Sequence, residues 1–352
     1  MRVFHPSPSS PAGSCFRRVG WGLVAALTLI LPLSHADGAE GNLGRPAEGL
    51  ATCEPAVLSP EPGLLTVAGS TLALRYAPGR EIAQLRNPRV RESSGIAVSR
   101  RTPGVFWTHN DSGDEARAYA FDREGRDLGT IALRDIIAFD WEDMCSLSLE
   151  GKSLLLLADI GNNLRAAPMQ MIHVVEEPEQ EALKATATGE SAAEGRAEPL
   201  RLNVRQTIYF AYEDDYRDCE ALAVDPASKQ ILLATKGPKA ECYVYSFTWP
   251  EANSKRAQVA RKIARLDLSA VTGMDIAPDG RRAILSTYRN AYQFVRQPDE
   301  DWATAFAQRP IEIPLPKRRQ GEAICYGEDG KTLYLTSEGQ PAPLIEVPVT
   351  GD

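Results

Sequence analysis

Carboxylates recur at matching positions along this chain. Asp140 and Glu142, Asp218 and Glu220, and Glu322 each stand just ahead of a short apolar run, and Glu92 and Asp275 fall beside the corresponding Ser94 and Thr272. The apolar runs that come next end in amides, Asn110 within Asn110-Asp111-Ser112-Gly113 and Asn163 within Asp159-Ile160-Gly161-Asn162-Asn163. Acids and amides drawn to one place are hard oxygen donors. Their mutual repulsion is relieved by protons or by a cation, and six to eight such oxygens suit Ca²⁺. The expected metal set is therefore Glu92, Asn110, Asp140, Glu142, Asn163, Asp218, Glu220, Asp275 and Glu322, with Ca²⁺ as the favoured ion.

Other residue types near these acids bear on catalysis. His109 and His173 are the only histidines beyond the first 36 residues. His109 sits at the end of a second apolar run, where an imidazole titrating near neutrality can serve as a general base, with Glu142 as the other catalytic candidate. Lys236 and Arg289 can hold a substrate anion such as phosphate or carboxylate. Ser93, Ser94 and Ser112 lie close by, but no GxSxG elbow surrounds them. Neither a Cys/His spacing suited to zinc nor a twelve-residue calcium loop is present. Each acid also has a plainer use, as a turn cap or a partner for exposed backbone amides.

The elements that must position these residues repeat. Ser94, Glu142, Glu220, Thr272 and Glu322 are equivalent, at steps of 48, 78, 52 and 50 residues. Each begins a small aliphatic strand, followed by turn chemistry and a second β-favouring strand, as in residues 221–224 and 231–234 around Asp225-Pro226-Ala227-Ser228. Short strands at a period of about 40–50 residues are the mark of propeller blades. The fold class is all-β, a β-propeller of five blades, or six if another blade lies in the long second step or near the N-terminus. The last repeat lacks a fourth strand. The expectation is that residues 64–76 supply it, closing the ring with strands from both termini and leaving no free edge. The extra length of the second step falls at about 178–199, rich in Ala, Glu, Gly and Thr, and reads as a disordered insertion.

Residues 1–36 read as a secretory signal: Arg17 and Arg18, an apolar run, then Ser34-His35-Ala36. Residues 37–63 read as a flexible lead-in, and 64–352 as one propeller domain. Cleavage removes three arginines and no acid, leaving 36 basic against 47 acidic side chains and a net charge of −11. That balance excludes a basic footprint for nucleic acid. No membrane span is expected after cleavage, and the destination is periplasmic or extracellular. Five of six cysteines remain. Cys145 and Cys325 share a column with Ala97 and Ala223 and read as buried thiols, while Cys219 and Cys242 stand at one end of a blade, where a disulfide can form.

The segments Glu92-Ser93-Ser94-Gly95-Ile96-Ala97, Trp107-Thr108-His109-Asn110-Asp111-Ser112-Gly113 and Asp140-Trp141-Glu142-Asp143 resemble the opening blades of secreted propellers of the SdiA-regulated and esterase-like phytase types. Asp218-Cys219-Glu220-Ala221 and Gly321-Glu322-Ala323 are similar in style. The resemblance implies a calcium-favouring propeller and, at one remove, ester or phosphoester hydrolysis. Likeness to the lactonase propellers (regucalcin, paraoxonase) extends to the fold alone. Two functions follow: a metal-assisted hydrolase acting on a small or anionic substrate, and a non-enzymatic envelope module that binds a partner at the channel mouth.

Overall fold

The computed structural model describes residues 73–350 other than 112, 188–197, 240 and 253, together with the strand pair Thr66–Val67 and Ser70–Thr71. The expected signal and lead-in lie outside the described residues. Each repeat folds as an antiparallel meander in which every strand turns back on the one before. In blade 1, Ser93–Val98, Val105–Asn110, Arg117–Asp122 and Asp127–Leu133 pair in that order. Blade 2 is Trp141–Leu149, Lys152–Asp159, Gln170–Glu176 and Gln206–Tyr212. Blade 3 is Cys219–Asp225, Gln230–Thr235, Cys242–Thr248 and Gln258–Leu266. Blade 4 is Val271–Ile276, Arg282–Thr287, Asn290–Val295 and Ile311–Pro314. The last sheet joins Ala323–Tyr326, Leu333–Thr336 and Pro343–Val347 to Arg80–Gln84. The first strand of each sheet packs on the first strand of the next, and the last of them returns to Ser93–Val98. The protein is an all-β propeller.

Side-chain alternation explains why the inner strands read as continuous apolar runs. Successive residues point to opposite faces of a strand, and here both faces are covered. Leu154 and Leu156 pack toward blade 3, whereas Leu155 and Leu157 pack toward blade 1. The described residues thus form an apolar core between each neighbouring pair of sheets. The same alternation separates Cys219 from Cys242. The first packs between blades 2 and 3, the second between blades 3 and 4, and both are buried free thiols instead of a disulfide.

Two expectations are corrected. The closing strand is Arg80–Gln84, later than residues 64–76; Tyr76 contributes only a bridge to Val349. Its sequence, Arg-Glu-Ile-Ala-Gln, carries little apolar signal because an outermost strand buries little. The insertion also holds order. Gln180–Ala187 is a helix whose Leu183 is buried beside blade 1, and Thr130 N donates to Thr186 Oγ1 at 3.2 Å. Leu200–Leu202 then adds to blade 1 in parallel.

Polar links tie the inner strands across blades. Asp143 is fully buried. Its Oδ1 accepts from Met144 N at 2.8 Å, and its Oδ2 accepts from Leu222 N at 2.8 Å and Met274 N at 3.2 Å, so one carboxylate joins blades 2, 3 and 4. Asp275 joins blades 4 and 5 through Ile276 N and Tyr326 N, both at 2.8 Å. Ser94 Oγ donates to Glu142 O at 2.6 Å, and Thr272 Oγ1 to Gly321 O at 2.8 Å.

Asp143→Asn would turn an amide NH2 toward the donors on one of the two oxygen positions. A loss of about 3 kcal/mol is expected, read as a lower urea midpoint at unchanged slope; a loss below ~0.5 kcal/mol would show that the amides do not depend on the carboxylate. A second expectation concerns acid. Burial lowers the His173 pKa from 6.5 to about 4. The unfolded chain then binds the extra proton first, so the stability carried by neutral His173 is present above pH 6.5 and is lost as pH falls toward 4. The stability difference between wild type and His173→Gln should shrink over that interval in urea titrations, and a constant difference would refute the assignment.

Candidate functional site

The recurrent polar residue before each inner strand has a structural cause. Pairing between the first and second strands skips one residue between Ser93 and Gly95, Trp141 and Asp143, Cys219 and Ala221, and Val271 and Gly273. The skipped residues are Ser94, Glu142, Glu220 and Thr272. A bulge of this kind breaks the ladder locally and re-aims one side chain, and here it occurs at the end of the ring where the inner strands begin. Glu322 precedes the fifth inner strand without a bulge.

Three carboxylates come together at this mouth. Ligand oxygens of Asp111, Asp140 and Glu142 lie within 4.8 Å of one another. Asp140 is held from behind, its N–H donating to Asp159 Oδ1 at 2.9 Å and its carbonyl accepting from Ile160 N and Gly161 N. Gly161 forms the floor: a methyl group on its Cα would overlap both the Asp140 and Glu142 carboxylates. Glu142 is 3 % exposed, and among the described residues its carboxyl has no hydrogen bond or ion pair. Burial, then Glu220, Asp111 and Asp140, raise its pKa far above the carboxylate range. Burial and the charge of Asp111 raise Asp140 to about 6.

A second group faces the first across the mouth. Lys236 Nζ donates to Glu220 Oε1 at 2.5 Å and lies 5.6 Å from the Tyr288 ring centroid. Burial works against the lysine's charge, but Glu220 outweighs it and raises the lysine pKa. Burial likewise raises Glu220, against the pull of Lys236, and lifts Glu322 to about 7. Arg318, which the sequence hides in the charge run Lys317-Arg318-Arg319, lies over Gly321 beside Glu322. Its Nη2 donates to Thr287 O at 2.9 Å, while Nε and Nη1 are buried without a partner among the described residues. Burial lowers its pKa to about 10.

The remaining expected residues are placed otherwise. Asn110 spends its amide on the scaffold: Oδ1 accepts from Arg91 N and Glu92 N, and Nδ2 donates to Arg89 O and Asp114 Oδ2. The next residue, Asp111, is the one that joins the cluster. Glu92 is exposed and lines a cavity of about 360 Å³ on blade 1 with Arg89, Arg91 and Arg117. Asp218 caps Asn162 N at 2.8 Å, and Asn163 is exposed. Asp275 lies three residues beyond its bulge, level with Cys145 and Cys325, and its oxygens hold backbone amides. Arg289 is exposed and lines a cavity of about 380 Å³ with Lys239, Asp267 and Tyr288.

His109 is corrected most sharply. It is 0 % exposed, its Nδ1 donates to Asn110 O at 2.8 Å, and its ring stands edge-on to Trp141 at 5.5 Å. Burial lowers its pKa, so it is a neutral wedge between blades 1 and 2 and not a base at the mouth.

No protein-family model and no curated protein matches this chain. Among solved structures, a gluconolactonase from Xanthomonas campestris is similar at 10 % identity and a TM-score of 0.38, over 79 % of this chain and 88 % of that one. The propeller assignment rests on the strand topology described above.

Gly161→Ala tests the floor. The displaced atoms are ends of side chains, so the fold should persist with a melting temperature near wild type. Any cation held by Asp140 and Glu142 should bind about 10- to 100-fold more weakly by calorimetric titration; unchanged affinity would remove these two carboxylates from the site.

Proposed function

We propose that this protein is an exported propeller whose channel mouth binds a divalent cation, Ca²⁺ by preference, and uses it to hydrolyse an ester or phosphoester. The observation that carries the reading is the convergence of three carboxylates, Asp111, Asp140 and the 3 % exposed Glu142, whose ligand oxygens lie within 4.8 Å of one another. A site of three carboxylates supplies hard ligands while leaving most of a Ca²⁺ shell for water and substrate oxygen. A cation there would polarise that oxygen or activate a water. Glu322, raised to about 7, is suited to trade a proton at neutral pH, and Lys236 keeps a fixed positive charge opposite the acids. The resemblance to esterase-like phytase propellers and the leader-like first 36 residues support the reading from the sequence side.

The second reading is a non-catalytic envelope module. It draws on the burial of His109, which leaves the mouth without a nucleophile–base pair among the described residues.

Thermal unfolding after exhaustive chelation, titrated with Ca²⁺ and separately with Mg²⁺, tests the cation first. Saturating Ca²⁺ should raise the melting temperature by about 4–8 °C, and Glu142→Gln should abolish the rise. A flat response to both metals would sink the cation and the hydrolase together. A calcium response without turnover of nitrophenyl esters or phosphates would favour the binding module.

A further inference from the structure

The loops around the acid site display apolar side chains to solvent. Seven large hydrophobic residues are exposed among the described residues, and five lie in three loops at the mouth end of blades 2 and 3. Ile137 (71 % exposed) and Phe139 (65 %) lead into the first strand of blade 2. Leu164 (90 %) and Met169 follow its second strand, and Tyr216 leads into blade 3. Chain direction puts all three loops at the end where inner strands begin.

Hydrogen bonds join these loops. Phe139 N donates to Asp159 Oδ2 at 3.0 Å, fixing the first loop to the second. Asn162 closes the turn that carries Leu164, its Oδ1 accepting from Ala166 N at 2.9 Å and Ala167 N at 3.0 Å. Asn162 N donates to Asp218 Oδ1 at 2.8 Å, fixing the second loop to the third. Apolar side chains exposed together on linked loops are the kind of surface that contacts a ligand or partner.

Resting on the proposed cation site, we infer that this rim binds the apolar body of an amphiphilic small molecule whose polar end occupies the acid cluster. Continuity identifies the occupant. Phe139 is bonded to Asp140, Leu164 lies three residues beyond Gly161, and Tyr216 lies two before Asp218. Gly161, in the loop that carries Leu164, packs directly on the Asp140 and Glu142 carboxylates, so a ligand seated on those carboxylates is bordered by these loops. The three loops carry six acidic residues against three basic ones, which disfavours an anionic lipid surface as the occupant. The substrate class is thus an ester or phosphoester with an aliphatic or aromatic substituent; a polyphosphorylated sugar would gain nothing from the rim.

The experiment is calorimetric titration of the calcium-loaded protein with methyl-, butyl- and octylphosphonate below micellar concentrations. Affinity should rise about two- to fourfold per added methylene. Phe139→Ser combined with Leu164→Ser should flatten the series while leaving calcium and methylphosphonate affinity and the melting temperature unchanged, since both side chains are exposed. A series independent of chain length, with calcium and methylphosphonate still binding, would overturn the rim and leave the cation reading intact. Loss of calcium binding itself in wild type would remove the cation reading and this inference with it. A flat series alongside adsorption to phosphatidylcholine vesicles that the double variant loses would reassign the rim to a lipid surface.

Discussion

The centre of this ring depends on one buried carboxylate. At the level just below the bulges, four inner strands offer Gly95, Ala221, Gly273 and Ala323, and the fifth offers Asp143. The small residues let the strands approach closely: a side chain at Gly95 would strike Met144, and one at Gly273 would strike the backbone of Glu322. Inner strands of neighbouring blades do not form a ladder with each other, so their amides need partners from elsewhere. Asp143 supplies two of them across blade boundaries. Apolar cores between sheets fix spacing, whereas this cage fixes the angular registry of blades 2, 3 and 4 on which the mouth relies.

A ladder irregularity then turns a structural repeat into a chemical one. The bulges place Ser94, Glu142, Glu220 and Thr272 at one height, and the residue type decides what each does. Hydroxyls at Ser94 and Thr272 stitch to the next blade through carbonyls, while carboxyls at Glu142 and Glu220 meet Asp111, Asp140 and Lys236. Stability and site chemistry thus share one backbone device. Two blades spend it on closure and two on charge.

The repeat, the strand pairs of each blade and the location of the polar end were legible because they rest on local pattern: aliphatic runs, turn residues and a regular step. What could not be read rests on direction and on long-range partners. Asn110 and Asp111 are adjacent, and only the strand's end geometry shows that the first caps Arg91 and Glu92 while the second faces the acids. Asp275 and Glu142 look alike in the linear pattern, yet the bulge puts them at different depths. His109 has the chemistry of a base, but Trp141 and Gly95 close over it. Arg80–Gln84 and the helix Gln180–Ala187 escaped notice because each docks through few apolar side chains. Arg318 escaped because a charge run conceals which of its members turns inward.

The seam of the ring has a consequence for the order in which the molecule is completed. Arg80–Gln84 pairs with Pro343–Val347, elements more than 250 residues apart. Until the C-terminal strands exist, the N-terminal one has no ladder to join, and blade 1 has no neighbour on that side. Asp111 belongs to blade 1 and Glu322 to the last sheet, so these two acids of the mouth lie on either side of the seam. A partly folded chain can acquire every internal meander, and the Asp111, Asp140 and Glu142 group between blades 1 and 2, by shorter-range contacts, but Glu322 is brought beside blade 1 only when the two ends of the ring join.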